Sequence, residues 1–397
     1  MLKLGEKIIK DIYLGDKKIA KAFLGDKLVF QAGKPIFLEY IQTDGNSYID
    51  TEYCANGNTV IEYTWETTQK PTSTAGGLLG SRVSTDKEEY LVFQYSNLNL
   101  RLDFGRYSEP IPMYSISLNT KYTMKAGTGE IYINGELVKS YVPKTGQTKN
   151  SMYLGNFNNN GTPYTTGTAQ KIYGFKAYEN NVLLHDFRPC IAPNGQVAMY
   201  DEVNKKYFYN QGTGNFTAGN KINFVDYITF DGASWVDTGI AYQDCTVEFG
   251  LTSPVIADRQ LMGWSASAST YWGIVDGKFE LGATVVLAES DTTQYSEAQI
   301  TVAETDLRYL TLSHAGKSIV RQGNKEASVF NYIIGAVPTT YAYAFVGNIY
   351  YHRFKNTDGV IIQDLRPCVV GGEACFYDMV TGKIFTNAGT GTLTYTE

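Results

Sequence analysis

One closing segment occurs twice in this chain, and a fold has to accommodate both copies. The first reads Asp186-Phe187-Arg188-Pro189-Cys190, then Met199-Tyr200-Asp201, then Asn210-Gln211-Gly212-Thr213-Gly214. The second reads Asp364-Leu365-Arg366-Pro367-Cys368, then Phe376-Tyr377-Asp378, then Asn387-Ala388-Gly389-Thr390-Gly391. The openings repeat as well: Tyr40, Gly45 and Asp50 answer Tyr227, Gly232 and Asp237 at a constant offset. Between opening and closing the second copy loses about ten residues. That loss is placed in the Asn-rich stretch 156–161, because surface loops absorb length changes that strands do not. Two openings and two closings imply two copies of one domain.

Inside each copy the pattern is short alternating strands. Thr59 to Trp65 matches Cys245 to Phe249, and Tyr90-Leu91-Val92-Phe93 matches Tyr271-Trp272-Gly273-Ile274. Asn134-Gly135, between Ile131-Tyr132-Ile133 and Glu136-Leu137-Val138, predicts a two-residue type I′ hairpin. No stretch has convincing helical periodicity, and 31 Tyr with 39 Gly suit strands joined by many turns. The expected fold class is all-β: two tandem antiparallel β-sandwiches over residues 36–219 and 223–397, preceded by a short N-terminal β-repeat over 1–35.

That leading segment has its own period of ten: Leu4-Gly5-Glu6-Lys7, Leu14-Gly15-Asp16-Lys17 and Leu24-Gly25-Asp26-Lys27. Gly beside an acid suits tight turns, so the expectation is a three-rung meander or a stack of hairpins. So short a segment cannot bury a core alone, which marks it as an attachment or assembly element that docks on something else.

A net charge of −6 spread along the chain argues against nucleic acid, since phosphate binding needs clustered Lys and Arg. No run is long and apolar enough for a membrane span, and the N-terminus has no apolar signal core. Synthesis and folding in a cytoplasm are therefore expected. The five cysteines (54, 190, 245, 368 and 375) have no framework spacing. They are expected to be buried reduced thiols, with Cys190 and Cys368 each filling its own core.

The opening Tyr40-Ile41 to Asp50-Thr51, the central Ile131-Tyr132-Ile133-Asn134-Gly135 and the strand Ile172-Tyr173-Gly174-Phe175-Lys176 resemble the concanavalin A-like lectin/glucanase superfamily, in its laminin-G-like, jelly-roll branch. The second copy keeps Trp235-Val236-Asp237-Thr238 but departs at the hairpin, where Arg321-Gln322-Gly323-Asn324 replaces the Asn-Gly pair. The closing segments, together with the Leu-Gly-Asp-Lys repeats, look like phage and prophage tail and fibre proteins of gut bacteria. The resemblance implies a non-enzymatic virion structural protein of tail, baseplate or head, made in the host cytoplasm. It also implies recognition of a host-surface glycan, contacts with other virion proteins through the N-terminal segment, and a homo-oligomer, a trimer by analogy. The alternatives are a bacterial carbohydrate-binding adhesion protein outside a virion and a disfavoured glycan hydrolase.

Chemistry-bearing residues are sparse. Glycosidases of that superfamily need two carboxylates on one strand face, and no Glu-x-Asp-x-Glu occurs; Glu88-Glu89 are adjacent and face opposite ways. His185, His314 and His352 lack metal or triad spacing, and His185 is expected to bond its neighbour Asp186. Calcium would need convergent oxygens, for which Asp86, Asp103, Asp276 and Asp291 are the available donors without a contiguous ligand run, so no cofactor is assigned. Asp186/Arg188 and Asp364/Arg366 share a strand face and are expected to act as structural latches pinning the closing strand to a loop. Trp264, Tyr271 and Trp272, beside Ser-rich loop sequence, are the candidate sugar-stacking residues. Function is expected where the copies differ, in the Asn-rich loop of the first and the Trp-bearing loop of the second.

Overall fold

The computed structural model describes residues 35–83, 89–104, 114–142, 146–241, 245–251, 331–336 and 345–396 in full, and elsewhere only the backbone of named strands. It is all-β, with two compact units, Met1–Lys221 and Ile222–Glu397. Among the described residues no helix is long and apolar enough to cross a membrane.

Unit one is built from two sheets sharing one core, antiparallel except where Asn158–Asn159 lies parallel to Ala75–Val83. Thr59–Thr67 shows why: Ile61, Tyr63 and Trp65 are buried while Val60, Glu62 and Thr64 are not, the period-two alternation of a strand with one face inward. The larger sheet runs Glu136–Ser140, Glu130–Ile133, Lys121–Gly127, Thr59–Thr67, Gln170–Glu179, Val182–Ile191, Val197–Asp201, Lys206–Tyr209. The smaller runs Tyr114–Ser115, Asn99–Phe104, Glu88–Tyr95, Ala75–Val83, Tyr153–Leu154, Ile49–Asp50. Tyr63, Trp65, Met124, Phe175 and Phe187 of the first interlock with Leu79, Val92, Leu102 and Leu154 of the second. Removing a buried ring such as Trp65 would cost about 3–5 kcal/mol.

Unit two repeats the larger sheet strand for strand: Lys317–Gln322, Tyr309–His314, Ala298–Glu304, Thr246–Thr252, Val346–Lys355, Ile361–Val370, Glu373–Asp378, Ile384–Phe385. Its second sheet comprises Val236–Ala241, Asn331–Ile334, Arg259–Gly263, Tyr271–Val275 and Lys278–Leu281. Phe230, Phe345, Phe354 and Phe376 fill its core. The Asn134-Gly135 turn forms as expected, both residues at positive φ (52° and 84°). Ahead of the two-sheet core of unit one the strand backbones make three two-stranded antiparallel hairpins, with Leu4 opposite Lys7, Leu14 opposite Lys17 and Leu24 opposite Lys27.

Each unit is closed by its Asn-x-Gly-Thr-Gly loop. Asn210 Oδ1 accepts from the N–H of Tyr48 (3.1 Å) and Gly212 (2.9 Å), while its Nδ2 donates to Gly214 O at 2.6 Å. Asn387 does the same with Trp235 N (3.1 Å), Gly389 N (2.9 Å) and Gly391 O (2.7 Å). The glycines are there for close approach: a Cβ on Gly212 would lie 2.0 Å from Asn46 O, and one on Gly389 2.3 Å from Ala233 O. Across the gap, burial works against the charge of Asp44 and Asp231, but backbone and Ser donors outweigh it and hold both carboxyls below their ordinary range. The loop is held by Asn210 and Asn387, whereas the ion pairs Asp186/Arg188 and Asp364/Arg366 lie within their own strands.

Candidate functional site

The outer face of each larger sheet carries a row of alternating charge. In unit one the register sets Lys125 beside Glu62, Glu62 beside Lys176 and Lys176 beside Asp186. Lys176 Nζ is 3.9 Å from Asp186 Oδ2, and Arg188 completes the row at 2.9 Å from the same oxygen. In unit two Glu248, Arg353, Asp364 and Arg366 repeat it: Arg353 bridges Glu248 (3.2 Å) and Asp364 (3.1 Å), and Arg366 Nε reaches Asp364 Oδ1 at 2.9 Å. The ring pairs Tyr40–Tyr173 (5.5 Å) and Tyr227–Tyr350 (5.3 Å) are likewise repeated. These features serve the shared sheet.

Among the described residues, one depression lies on this face, in unit one. Two rows cross it: Tyr178, Val60, Gly127, Glu130 and, beside them, Lys176, Glu62, Lys125, Tyr132. Gly127 sits at φ 148° with Thr59 O 2.1 Å from where a Cβ would be, so the first row has no side chain at its middle. The result is a groove of about 610 Å³ lined by Glu62, Lys125, Glu130, Tyr132, Tyr178 and Asn181 among others. Its two tyrosines are held by carboxylates: Tyr132 donates to Glu130 Oε2 at 2.7 Å, and Tyr178 to Glu62 Oε2 at 3.4 Å. Lys125 Nζ lies 3.8 Å from Glu62 Oε1. Burial, then the Glu62 charge, pushes the Tyr178 phenol up, and the Glu130 hydrogen bond does the same for Tyr132, so both keep their protons. Asn181 stands at the rim in the turn Asn180-Asn181, both at positive φ (51° and 65°), which Asn tolerates. In unit two the register gives Lys355, Ala303 and Ser313 where unit one has Tyr178, Gly127 and Tyr132.

Such a groove offers aromatic faces for sugar C–H surfaces, carboxylates that accept paired hydroxyls, and an ammonium and an amide that donate. The sequence did not single out these residues. Asn180-Asn181 between alternating runs was a readable turn signal, but the tyrosines converge only through the lateral register of four strands.

The expected site residues fall elsewhere. Trp264 lies outside the described residues; Tyr271 and Trp272 sit on the strand Tyr271–Val275 rather than in a loop, with their side chains outside the description. Of the four acids considered for calcium only Asp103 is described, and among the described residues no cluster of three or more His, Cys, Asp or Glu could hold a metal. His185 bonds Asp201 Oδ2 at 2.7 Å, not Asp186, because adjacent strand residues point to opposite faces. His352 is buried in the core of unit two, where desolvation lowers it to about 3 and keeps it neutral.

The Asn-rich loop of unit one forms a hairpin, Asn158–Asn159 with Thr162–Pro163, attached to Ala75–Val83. Its amides are consumed by their own surroundings: Asn156 donates to Tyr164 O (3.0 Å), Asn158 to Ser151 O (3.0 Å), and Asn159 Oδ1 accepts Arg82 at 2.8 and 3.0 Å. Phe157 packs on Phe93 and Tyr164, with ring centroids 4.6 Å away in each case. On the same sheet, Glu89 and Asp103 are each 1% exposed. Arg101 Nε lies 2.7 Å from Asp103, although its N–H does not point along that contact. Burial first, then the Asp103 charge, pushes Glu89 up to about 7, and burial raises Asp103 to about 6 against the pull of Arg101. The like charge of the neighbouring Asp103 adds to burial in favouring a proton on Glu89.

No known family model matches the chain, and no curated protein matches it. Among solved structures it is similar to the mouse laminin alpha1 chain, domains LG4-5, at 13% identity and TM-score 0.29 over 85% of this chain and 94% of that one. It is similar to the LG1-3 region of the laminin alpha2 chain at 11% identity and TM-score 0.29 over 90% and 69%. The NanB sialidase of Streptococcus pneumoniae follows at 8% identity and TM-score 0.24 over 91% and 76%. Likeness this distant bears on neither ligand nor activity; the two-sheet units stand on the chain's own strands.

Proposed function

We propose that this chain is a non-enzymatic, lectin-like adhesion protein whose unit-one groove takes a saccharide from a cell surface. The observation that carries the reading is the pair Tyr132 and Tyr178 flanking the floor opened by Gly127, with Glu62, Lys125 and Asn181 at hydrogen-bonding positions around it. A binding role is favoured over hydrolysis by where the acids sit. Among the described residues, the two carboxyls with raised proton affinity, Glu89 and Asp103, are buried and cannot reach a glycosidic bond. Placement in a phage tail, baseplate or head fibre is supported by the resemblance of the closing segments and the Leu-Gly-Asp-Lys repeats. The three N-terminal hairpins, each too small to bury a core, suit attachment to other virion proteins or to further copies, with a trimer as the expected assembly.

The test is a glycan array probed with the full chain alongside Tyr132→Ala and Tyr178→Ala. Binding that falls about tenfold or more in either variant is expected, the loss of roughly 1.4 kcal/mol or more from one stacking ring. Absence of binding to every glycan would leave a purely structural role. Light scattering addresses assembly separately, and a strict monomer at high concentration would remove the fibre.

A further inference from the structure

Cys368 and Cys375 stand opposite each other in the pair Ile361–Val370 and Glu373–Asp378. The strands reverse at Gly371-Gly372, both at positive φ (61° and 89°), and the register runs Val370 with Glu373, Val369 with Ala374, Cys368 with Cys375. The sulfurs are 3.4 Å apart, and both residues are buried. Opposed Cα atoms in antiparallel strands lie about 4.5–5.5 Å apart, inside the roughly 4.4–6.8 Å window a disulfide spans. Phe224 flanks Cys368 on its far side, but Ile384–Phe385 pairs only with Tyr377 and Phe376, leaving Cys375 beyond the end of that edge strand. Unit one has no such pair, because Cys190 faces Ala198 there.

We propose that Cys368 and Cys375 form a covalent modification site, closed to a disulfide within the hairpin by a small-molecule disulfide once the protein meets an oxidising medium. The Cys375 sulfur, as thiolate, attacks one sulfur of the external disulfide, and the other half leaves as a thiol carrying the displaced proton. Cys368 then gives up its proton, attacks Cys375 Sγ and expels the second half as a thiol. Two protein thiols are oxidised and one external disulfide is reduced to two thiols. The hydrogen bond to Cys375, then burial, raises the Cys368 thiol, so the first attack falls to the cysteine at the open edge. Only local fraying of the sheet edge is needed for the reagent to arrive.

The experiment incubates the full chain with glutathione disulfide, denatures it, alkylates with maleimide and maps peptides by mass. Of the five cysteines, Cys54, Cys190 and Cys245 should be alkylated, and Cys368 and Cys375 recovered joined. In Cys375→Ala, which copies the Cys190/Ala198 pair of unit one and so keeps a pairing the fold already accommodates, the link should vanish. Five alkylated cysteines after prolonged incubation would overturn the proposal, as would a bond joining either residue to a different cysteine.

Discussion

The larger sheets of the two units share a charge row, Glu62-Lys176-Asp186-Arg188 answering Glu248-Arg353-Asp364-Arg366, but Thr301 stands where unit one has Lys125 and the surroundings differ. Asp186 and Arg188 are both 7% exposed at their side chains, whereas Arg366 is 35% and Asp364 13%. Arg353 also holds Asp364 from the neighbouring strand at 3.1 Å, where in unit one Lys176 stands 3.9 Å from Asp186. One motif thus serves two electrostatic settings, a drier pair in unit one and a more exposed one in unit two. The groove follows the same logic: the same strand order carries Gly127 and two tyrosines along these rows in unit one and Ala303, Lys355 and Ser313 in unit two.

The severest test of equivalence is the closing loop. Gly212→Ala and Gly389→Ala each drive a Cβ into a carbonyl oxygen and should each destabilise their unit by about 3 kcal/mol or more, read by urea unfolding. A harmless Gly389→Ala beside a damaging Gly212→Ala would break the equivalence. Next in size, Arg188→Ala should cost about 3 kcal/mol by leaving a buried carboxylate short of its main partner. Arg366→Ala should cost about 1 kcal/mol or less. Equal losses would mean that burial does not separate the pairs.

The smallest effect concerns the smaller sheet of unit one. Glu89 and Asp103 have folded-state affinities raised from the ordinary 4.5 and 3.8 to about 7 and about 6, so the folded state binds more protons than the unfolded between those values. The contribution of these two carboxyls to stability should therefore fall as pH rises from about 4.5 to about 7, the reverse of a carboxylate stabilised by a cation. Asp44, Asp201 and Asp231, all lowered, contribute the opposite slope below the ordinary Asp value of 3.8, and buried neutral His352 of unit two, lowered to about 3, contributes it up to its ordinary 6.5. Glu89→Gln should flatten the slope and raise stability at pH 7 by about 1–2 kcal/mol. A stability gain of Glu89→Gln over the parent that does not grow with pH across this window would refute the raised proton affinity of Glu89.

Much of the fold was readable because it depends on local or repeated signals: the duplicated closings, the alternation around Trp65, the Asn134-Gly135 turn. What escaped depends on lateral neighbours. His185 was expected to bond Asp186 from adjacency, yet strand geometry turns them apart and delivers Asp201. Glu89 and Asp103 meet through strand register, as do Tyr132 and Tyr178 around the groove. Cys368 opposite Cys375 could have been found: the two are symmetric about Gly371-Gly372, and folding the chain there lays one on the other. The Asn-rich loop stood out because the two copies differ there, and the side chains of Asn156, Asn158 and Asn159 bond their own surroundings.

The head-to-tail closure of each unit has a mechanical consequence. Leu38 bridges Lys221, and Ile41–Thr43 pairs antiparallel with Thr217–Ala218; in unit two Ile228–Asp231 pairs with Thr394–Tyr395 in the same sense. The chain enters and leaves each unit at one seam. A pull on both ends opens that seam like a zip, one hydrogen bond at a time, before tension reaches the sandwich. The same adjacency makes each unit a cassette that a gene can copy, insert or delete without threading the fold again.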